Sequence, residues 1–194
     1  IKFKKKSLTK NSTLIELNGP YEIKPRSINV ASDPSSAAFF IVGALIIPNS
    51  NIKLKNIALN KTRIAFIDVL KKMGGKIKIK KTGTISGEDV GEINVTHSLL
   101  NGIKINPSLS PYLIDEYPIL SVAATQAKGL TIMKGLSELR HKESDRIKSI
   151  TNNLSKIGFQ VISKKDDIII KGSKKINITK EVKIKTYGDH RIAM

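Results

Sequence analysis

The sequence predicts an α/β (α+β) chain assembled from repeated βαβαββ-like units, and three observations lead there. The same order of elements occurs twice along the chain. Landmarks in the two copies keep a near-constant spacing: Arg63 and Arg146 lie 83 residues apart, Gly74 and Gly158 lie 84 apart. Helix-like apolar runs alternate with strand-like segments in which apolar and charged residues take turns, so the hydrophobic period switches between about 3.6 and 2 at regular intervals.

In the first copy Asp33-Pro34-Ser35-Ser36 opens an apolar run, Ala37 to Ile47, that stops at Pro48-Asn49-Ser50. Asp33 suits a helix cap and Pro34 the first helical position, where a missing N–H costs little. A strand is expected over Ile52 to Ile57. Thr62-Arg63 then opens an amphipathic run, Ile64 to Met73, closed by Gly74-Gly75, and Lys76-Ile77-Lys78-Ile79-Lys80 alternates as a half-buried strand does. A more polar stretch from Lys81 to Pro111 holds strand candidates at Ile93 to Val95 and Ile103 to Ile105, with Gly83, Gly87, Gly91 and Gly102 marking turns. In the second copy Asp115-Glu116-Tyr117-Pro118 opens an apolar run ending at Lys128-Gly129, and Leu130 to Met133 reads as a strand. Asp145-Arg146 opens an amphipathic run, Ile147 to Ile157, closed by Gly158, and strands Phe159 to Ile162 and Ile168 to Lys171 flank a turn at Asp166-Asp167. Gly74, Gly129 and Gly158 stand where a left-handed residue ends a helix. A third unit opens at Tyr187-Gly188-Asp189-His190-Arg191. A change of domain is expected near Arg63 to Ala65. It would leave 1–64 as the C-terminal part of one domain and 65–194 as most of a second, with one full repeat and flanking partial repeats.

With 194 residues, 40% of them hydrophobic, the chain can bury a core. No window reaches the roughly 18 apolar residues of a membrane span. There is no signal-peptide pattern, and a soluble cytoplasmic protein is expected. The absence of cysteine excludes disulfides and thiolate metal sites, and His97, His141 and His190 are widely spaced. The net charge of +18 invites a nucleic-acid reading. Against it, the lysines are dispersed and often alternate along strands, and aromatics, at 5%, form no stacking platform. Attraction of small anionic substrates explains the charge better.

The densest charged cluster is Arg140-His141-Lys142-Glu143-Ser144-Asp145-Arg146, the least apolar stretch between well-patterned elements. It reads either as a solvated loop and helix start or as a cation-lined seat for phosphate or carboxylate. Asp115 reads as a helix cap or as a free carboxylate. Asp189-His190-Arg191 reads as a surface salt bridge or as a third piece of the same site.

Taken together, Asp33-Pro34-Ser35-Ser36-Ala37-Ala38-Phe39-Phe40, Asn60-Lys61-Thr62-Arg63, Ile114-Asp115-Glu116-Tyr117-Pro118, Lys142-Glu143-Ser144-Asp145-Arg146 and Asp189-His190-Arg191-Ile192-Ala193-Met194 resemble, in order, motifs of the 5-enolpyruvylshikimate-3-phosphate synthases. The resemblance covers nearly the whole chain. It implies the enolpyruvyl transferase fold, two domains of inverse-barrel architecture with the active site between them, here incomplete. It implies transfer of the carboxyvinyl group of phosphoenolpyruvate to the 5-hydroxyl of 3-phosphoshikimate, with release of phosphate, without cofactor or metal. It also implies a monomer when full length, with no nucleic-acid or membrane partner. The UDP-N-acetylglucosamine enolpyruvyl transferases share fold and donor, but Lys142 to Arg146 favours the shikimate enzyme. A non-catalytic basic binding module is the reading from another class.

The resemblance assigns roles residue by residue. Asp115 would take the proton of the 5-hydroxyl and touch 3-phosphoshikimate. Glu143 or Lys142 would move the proton to and from C3 of the donor, with Lys142 also contacting 3-phosphoshikimate. Arg146 and Arg191 would hold phosphoenolpyruvate by its phosphate and carboxylate. Ser35, Ser36 and Thr62 remain helix-start residues. The family's N-terminal Lys-Ser pair, its glycine-rich donor segment and its Ser-x-Gln motif are not among these residues, so an internal stretch, inactive in isolation, is expected.

Overall fold

A computed structural model describes residues 3–22, 24–173 and 181–194. A hairpin comes first, with β1 (Phe3–Thr9) antiparallel to β2 (Ser12–Leu17), and every residue on both strands is exposed. Then follow α1 (Pro34–Ile46), β3 (Asn51–Ala58), α2 (Ala65–Lys72), β4 (Lys76–Ile85) and β5 (Glu88–Thr96). After a 3-10 turn at Pro107–Leu109 come the short α3 (Ser110–Leu113), α4 (Tyr117–Thr125) and β6 (Leu130–Met133). A second 3-10 turn, Ser137–His141, leads into α5 (Arg146–Ile157), β7 (Gln160–Lys164), β8 (Asp167–Lys171) and α6 (His190–Ala193).

The duplication is visible in the sheets. One sheet has the order β3-β5-β4, the other β6-β8-β7, all neighbours antiparallel. Each is extended in the same way. Ser32 bridges in parallel to Ile57 beside β3, and Asn101 and Lys104 bridge in parallel to Lys128 and Ile132 beside β6. Each unit is therefore a short parallel strand, a helix, a strand, a helix and a closing hairpin. The expected domain change at residues 64 and 65 runs through the first sheet, because β3 before it pairs with β5 after it. The two units meet instead at residues 97–100.

The helices divide by chemistry. α1 and α4 are apolar on most sides, and they pack on each other as inner helices. α2 and α5 carry one apolar face and lie outside them. Asp33 caps α1 by accepting from Ser35 N (3.2 Å) and Ser36 N (2.9 Å), as its place before Pro34 predicts. Gly158, at φ 107°, ends α5 and returns its N–H to the carbonyls of Leu154 and Ser155. One apolar cluster runs from Ile41 and Phe66 through Leu120 to Ile170, so both units share a core. α6 packs on α4 and α5, which brings the segment around Asp189 back to the starts of both.

Candidate active site

Because α4, α5 and α6 pack together, the segments that precede them converge. Asp115 lies just before α4, Lys142 to Asp145 just before α5, and Asp189 just before α6. The five expected site residues stand in one cluster. The Asp115 carboxylate is 3.6 Å from Lys142 Nζ, 3.2 Å from Arg146 Nη1 and 4.0 Å from Arg191 Nη2. Glu143 Oε2 accepts from Arg146 Nη2 at 2.7 Å.

Asp115 does not cap its helix. Glu116 occupies the cap position of α4, with no side-chain cap bond, and the Asp115 carboxylate turns to the cations. It remains 38% exposed, open to a ligand, while the Arg146 side chain behind it is 1% exposed. Arg146 is the hub. Its Nε donates to Asp189 Oδ2 (2.8 Å), its Nη2 to Asp189 Oδ1 (3.2 Å) and Glu143, and its Nη1 to Asp115. Burial alone would favour its neutral form, but Asp189, Glu143 and Asp115 more than offset this and hold the guanidinium charged. All three of its side-chain nitrogens are engaged by these carboxylates.

Asp189 is the residue that the motif reading left without a role. It is solvent-inaccessible and accepts from Arg146 twice, from Ser144 Oγ (3.1 Å) and from Arg191 N (2.9 Å). Burial pushes its carboxyl up, yet these donors prevail and hold it below the usual carboxylate range. The available signal was positional, since Asp189 precedes α6 as Asp33 precedes α1.

The loop that presents Lys142 and Glu143 is braced from outside. Arg140 Nε donates to Asp166 Oδ1 at 2.9 Å and its Nη1 to Asp145 Oδ2 at 3.0 Å, while Asp145 caps α5 through Lys148 N at 3.0 Å. Thus the charged run divides into braces, Arg140 and Asp145, and groups left facing the cluster. A cavity of about 360 Å³, lined by Lys142, Glu138, Ser110 and Ile114, opens beside it. Among the described residues no group of three His, Asp or Glu is placed to hold a metal ion, and no helix is long and apolar enough to cross a membrane.

The family profile of EPSP synthase (3-phosphoshikimate 1-carboxyvinyltransferase) matches residues 3–194. A 3-phosphoshikimate 1-carboxyvinyltransferase of Sphingopyxis alaskensis is 44% identical over 180 residues, which are 93% of this chain and 40% of the relative. One of Petrotoga mobilis is 45% identical over 187 residues, 95% of this chain and 42% of the relative. The solved EPSP synthase from Acinetobacter baumannii superposes with a TM-score of 0.84 at 36% identity, covering 98% of this chain and 43% of that one. The enolpyruvyl transferase NikO from Streptomyces tendae, at 12% identity and a TM-score of 0.62, shares the fold over 88% of this chain and 37% of its own. The chain spans about two fifths of the length of these curated relatives. It belongs to the EPSP synthase family.

Proposed function

We propose that this chain supplies part of the active site of an enzyme that moves the carboxyvinyl group of phosphoenolpyruvate to the 5-hydroxyl of 3-phosphoshikimate and releases phosphate. One observation carries the reading: a solvent-open carboxylate, Asp115, stands within 4.0 Å of three cations, Lys142, Arg146 and Arg191.

In this reading Lys142, Arg146 and Arg191 are the partners of Asp115 until the donor arrives. Phosphoenolpyruvate then competes for Arg191 and for the outer edge of Arg146, and Asp115 gives up those partners to face the acceptor hydroxyl. Asp115 accepts the hydroxyl proton while the oxygen attacks C2, and Glu143 or Lys142 delivers a proton to C3. The tetrahedral adduct next loses phosphate as the C2–O bond to it breaks, and the proton held by Asp115 goes to the leaving phosphate. The adduct's methyl proton returns to the group that gave it, and Arg146 and Arg191 stabilise the departing anion. The reading carries with it a monomeric cytoplasmic enzyme with no nucleic-acid partner.

Phosphate release by the full-length enzyme bearing this sequence tests it. Release is expected with phosphoenolpyruvate plus 3-phosphoshikimate and with neither alone. Release with UDP-N-acetylglucosamine as the acceptor instead, or no release at all, overturns the assignment.

A further inference from the structure

The cluster holds a carboxylate that the mechanism above does not use. Glu116 is 4% exposed, and its Oε1 has no hydrogen-bond partner among the described residues. A buried carboxylate left in this state is costly unless a charge compensates it. The charged groups around it are Arg191 on α6, Asp115 beside it in the chain, and Arg63 in the turn before α2. Arg63 is already committed, donating to Asp33 at 2.9 Å and to Ser35 at 3.0 Å. Arg191 is the remaining compensation, with Nη1 3.9 Å from Glu116 Oε1 and Nη2 4.0 Å from Asp115 Oδ2. Both distances exceed hydrogen-bond length, so one guanidinium is shared loosely between two carboxylates.

Among the described residues around the donor position the carboxylates outnumber the cations. Asp115, Glu116, Glu143 and Asp189 face Lys142, Arg146 and Arg191, and a bound donor adds further negative charge. Once Arg191 turns to that donor, Glu116 is left buried beside Asp115 with no free cation among the described residues.

Resting on the reading of phosphoenolpyruvate as donor, we propose that Glu116 is the charge-compensating residue of donor binding: it yields Arg191 to phosphoenolpyruvate and takes one proton from solvent in exchange. The proton adds to a carboxylate oxygen and no other bond changes. Glu116 is already biased toward this exchange. Burial pushes its carboxyl above the usual range, and the Ser35 hydroxyl and the charges of Arg191 and Arg63 only partly oppose it.

The isosteric substitution Glu116→Gln supplies the neutral side chain permanently, so the test compares KM for phosphoenolpyruvate in the full-length parent and variant across pH 5.5–8.5. Taking the ratio of parent to variant cancels the ionisation of the donor itself. The ratio is expected to be near one at the acid end and to climb about tenfold toward the alkaline end, the mid-range for directly coupled neighbours. kcat and KM for 3-phosphoshikimate should stay within about twofold, as for a residue that acts through its neighbour. A ratio independent of pH, or a variant with the weaker binding throughout, overturns the proposal. A second measurement needs no variant: calorimetric titration of the parent with phosphoenolpyruvate alone at pH 8, in two buffers of different ionisation enthalpy. Uptake approaching one proton supports the exchange, and zero uptake overturns it. A parent that binds and turns over no phosphoenolpyruvate defeats the functional reading itself, whereas normal turnover with a flat ratio defeats only the role of Glu116.

Discussion

Asp189→Asn puts the hub of the cluster to a direct test. Each Asp189 oxygen accepts two bonds: Oδ2 from Arg146 Nε and Ser144 Oγ, and Oδ1 from Arg146 Nη2 and Arg191 N. Asparagine offers a single acceptor oxygen, so its amide group must point N–H bonds at donors on one side, and the negative charge opposite a buried guanidinium is gone. Breaking a buried ion pair from one side costs about 3–5 kcal/mol. Glu143 and Asp115 still face Arg146, though both are partly exposed, which places the cost near the low end, at about 3 kcal/mol. In the full-length enzyme the assay is native-state hydrogen exchange at the protected amides of α5, which should speed by about 10²-fold. The pH dependence has a definite sign. A carboxylate held below its usual range stabilises the fold above the unfolded-state value of about 3.9. The ratio of variant to parent exchange rates should therefore be full at neutral pH and begin to shrink below about pH 4. It should vanish only below the depressed value of Asp189. Adding Arg146→Met should recover much of the loss, because no buried charge is then left unpaired; Glu143 and Asp115, which also lose Arg146, are partly exposed. Exchange within about threefold of the parent in Asp189→Asn would show that the pair does not hold α5 to α6, and the hub argument would fail.

Asp115→Ala in the full-length enzyme should lower kcat by about 10²–10⁴-fold with an unchanged circular dichroism spectrum, since Asp115 caps no helix; steady-state phosphate release measures this. Arg191→Ala should raise KM for phosphoenolpyruvate by about 10–100-fold, as expected for one lost charge-assisted bond, and an unchanged KM would return Arg191 to a surface salt bridge. Turnover should survive EDTA, because Lys142, Arg146 and Arg191 supply the positive charge; loss on chelation with recovery on adding a divalent ion would contradict this.

What could be read from the sequence depended on whether the signal was local. α1 was legible because Asp33-Pro34 and the apolar run agree, and β6 because an apolar segment follows a glycine stop. The β1–β2 hairpin was not. Lys4-Lys5-Lys6 and Ser12-Thr13 show no alternation, since neither face of the hairpin is buried. The sheet that crosses residue 64 was hidden for a related reason. The pairing of β3 with β5 joins residues about 40 positions apart, and no local pattern announces it. In the site, the motif reading brought Asp115, Lys142, Glu143, Arg146 and Arg191 together, but it could not foresee that Arg146 is buried. Arginine is almost never fully buried unless paired, and its partner Asp189 lies 43 residues away.

The duplication shows how Asp115 comes to be free of a helix cap. Asp33 and Asp115 occupy matching places, each before the inner helix of its unit, and each faces the arginine at the start of the outer helix, Arg63 or Arg146. In the first unit the carboxylate is spent. Both Asp33 oxygens accept backbone N–H bonds from the start of α1, and Ser36 Oγ and Arg63 complete the shell. Burial would raise the Asp33 carboxyl, but these bonds hold it below its usual range, which suits a cap and not a base. In the second unit Glu116 takes the cap position, so Asp115 makes no cap bonds, and among the described residues its partners are the side chains of Lys142, Arg146 and Arg191. The same Asp–Arg pair caps a helix in one copy and, on the proposed function, would take a proton in the other, and what separates them is a set of backbone hydrogen bonds.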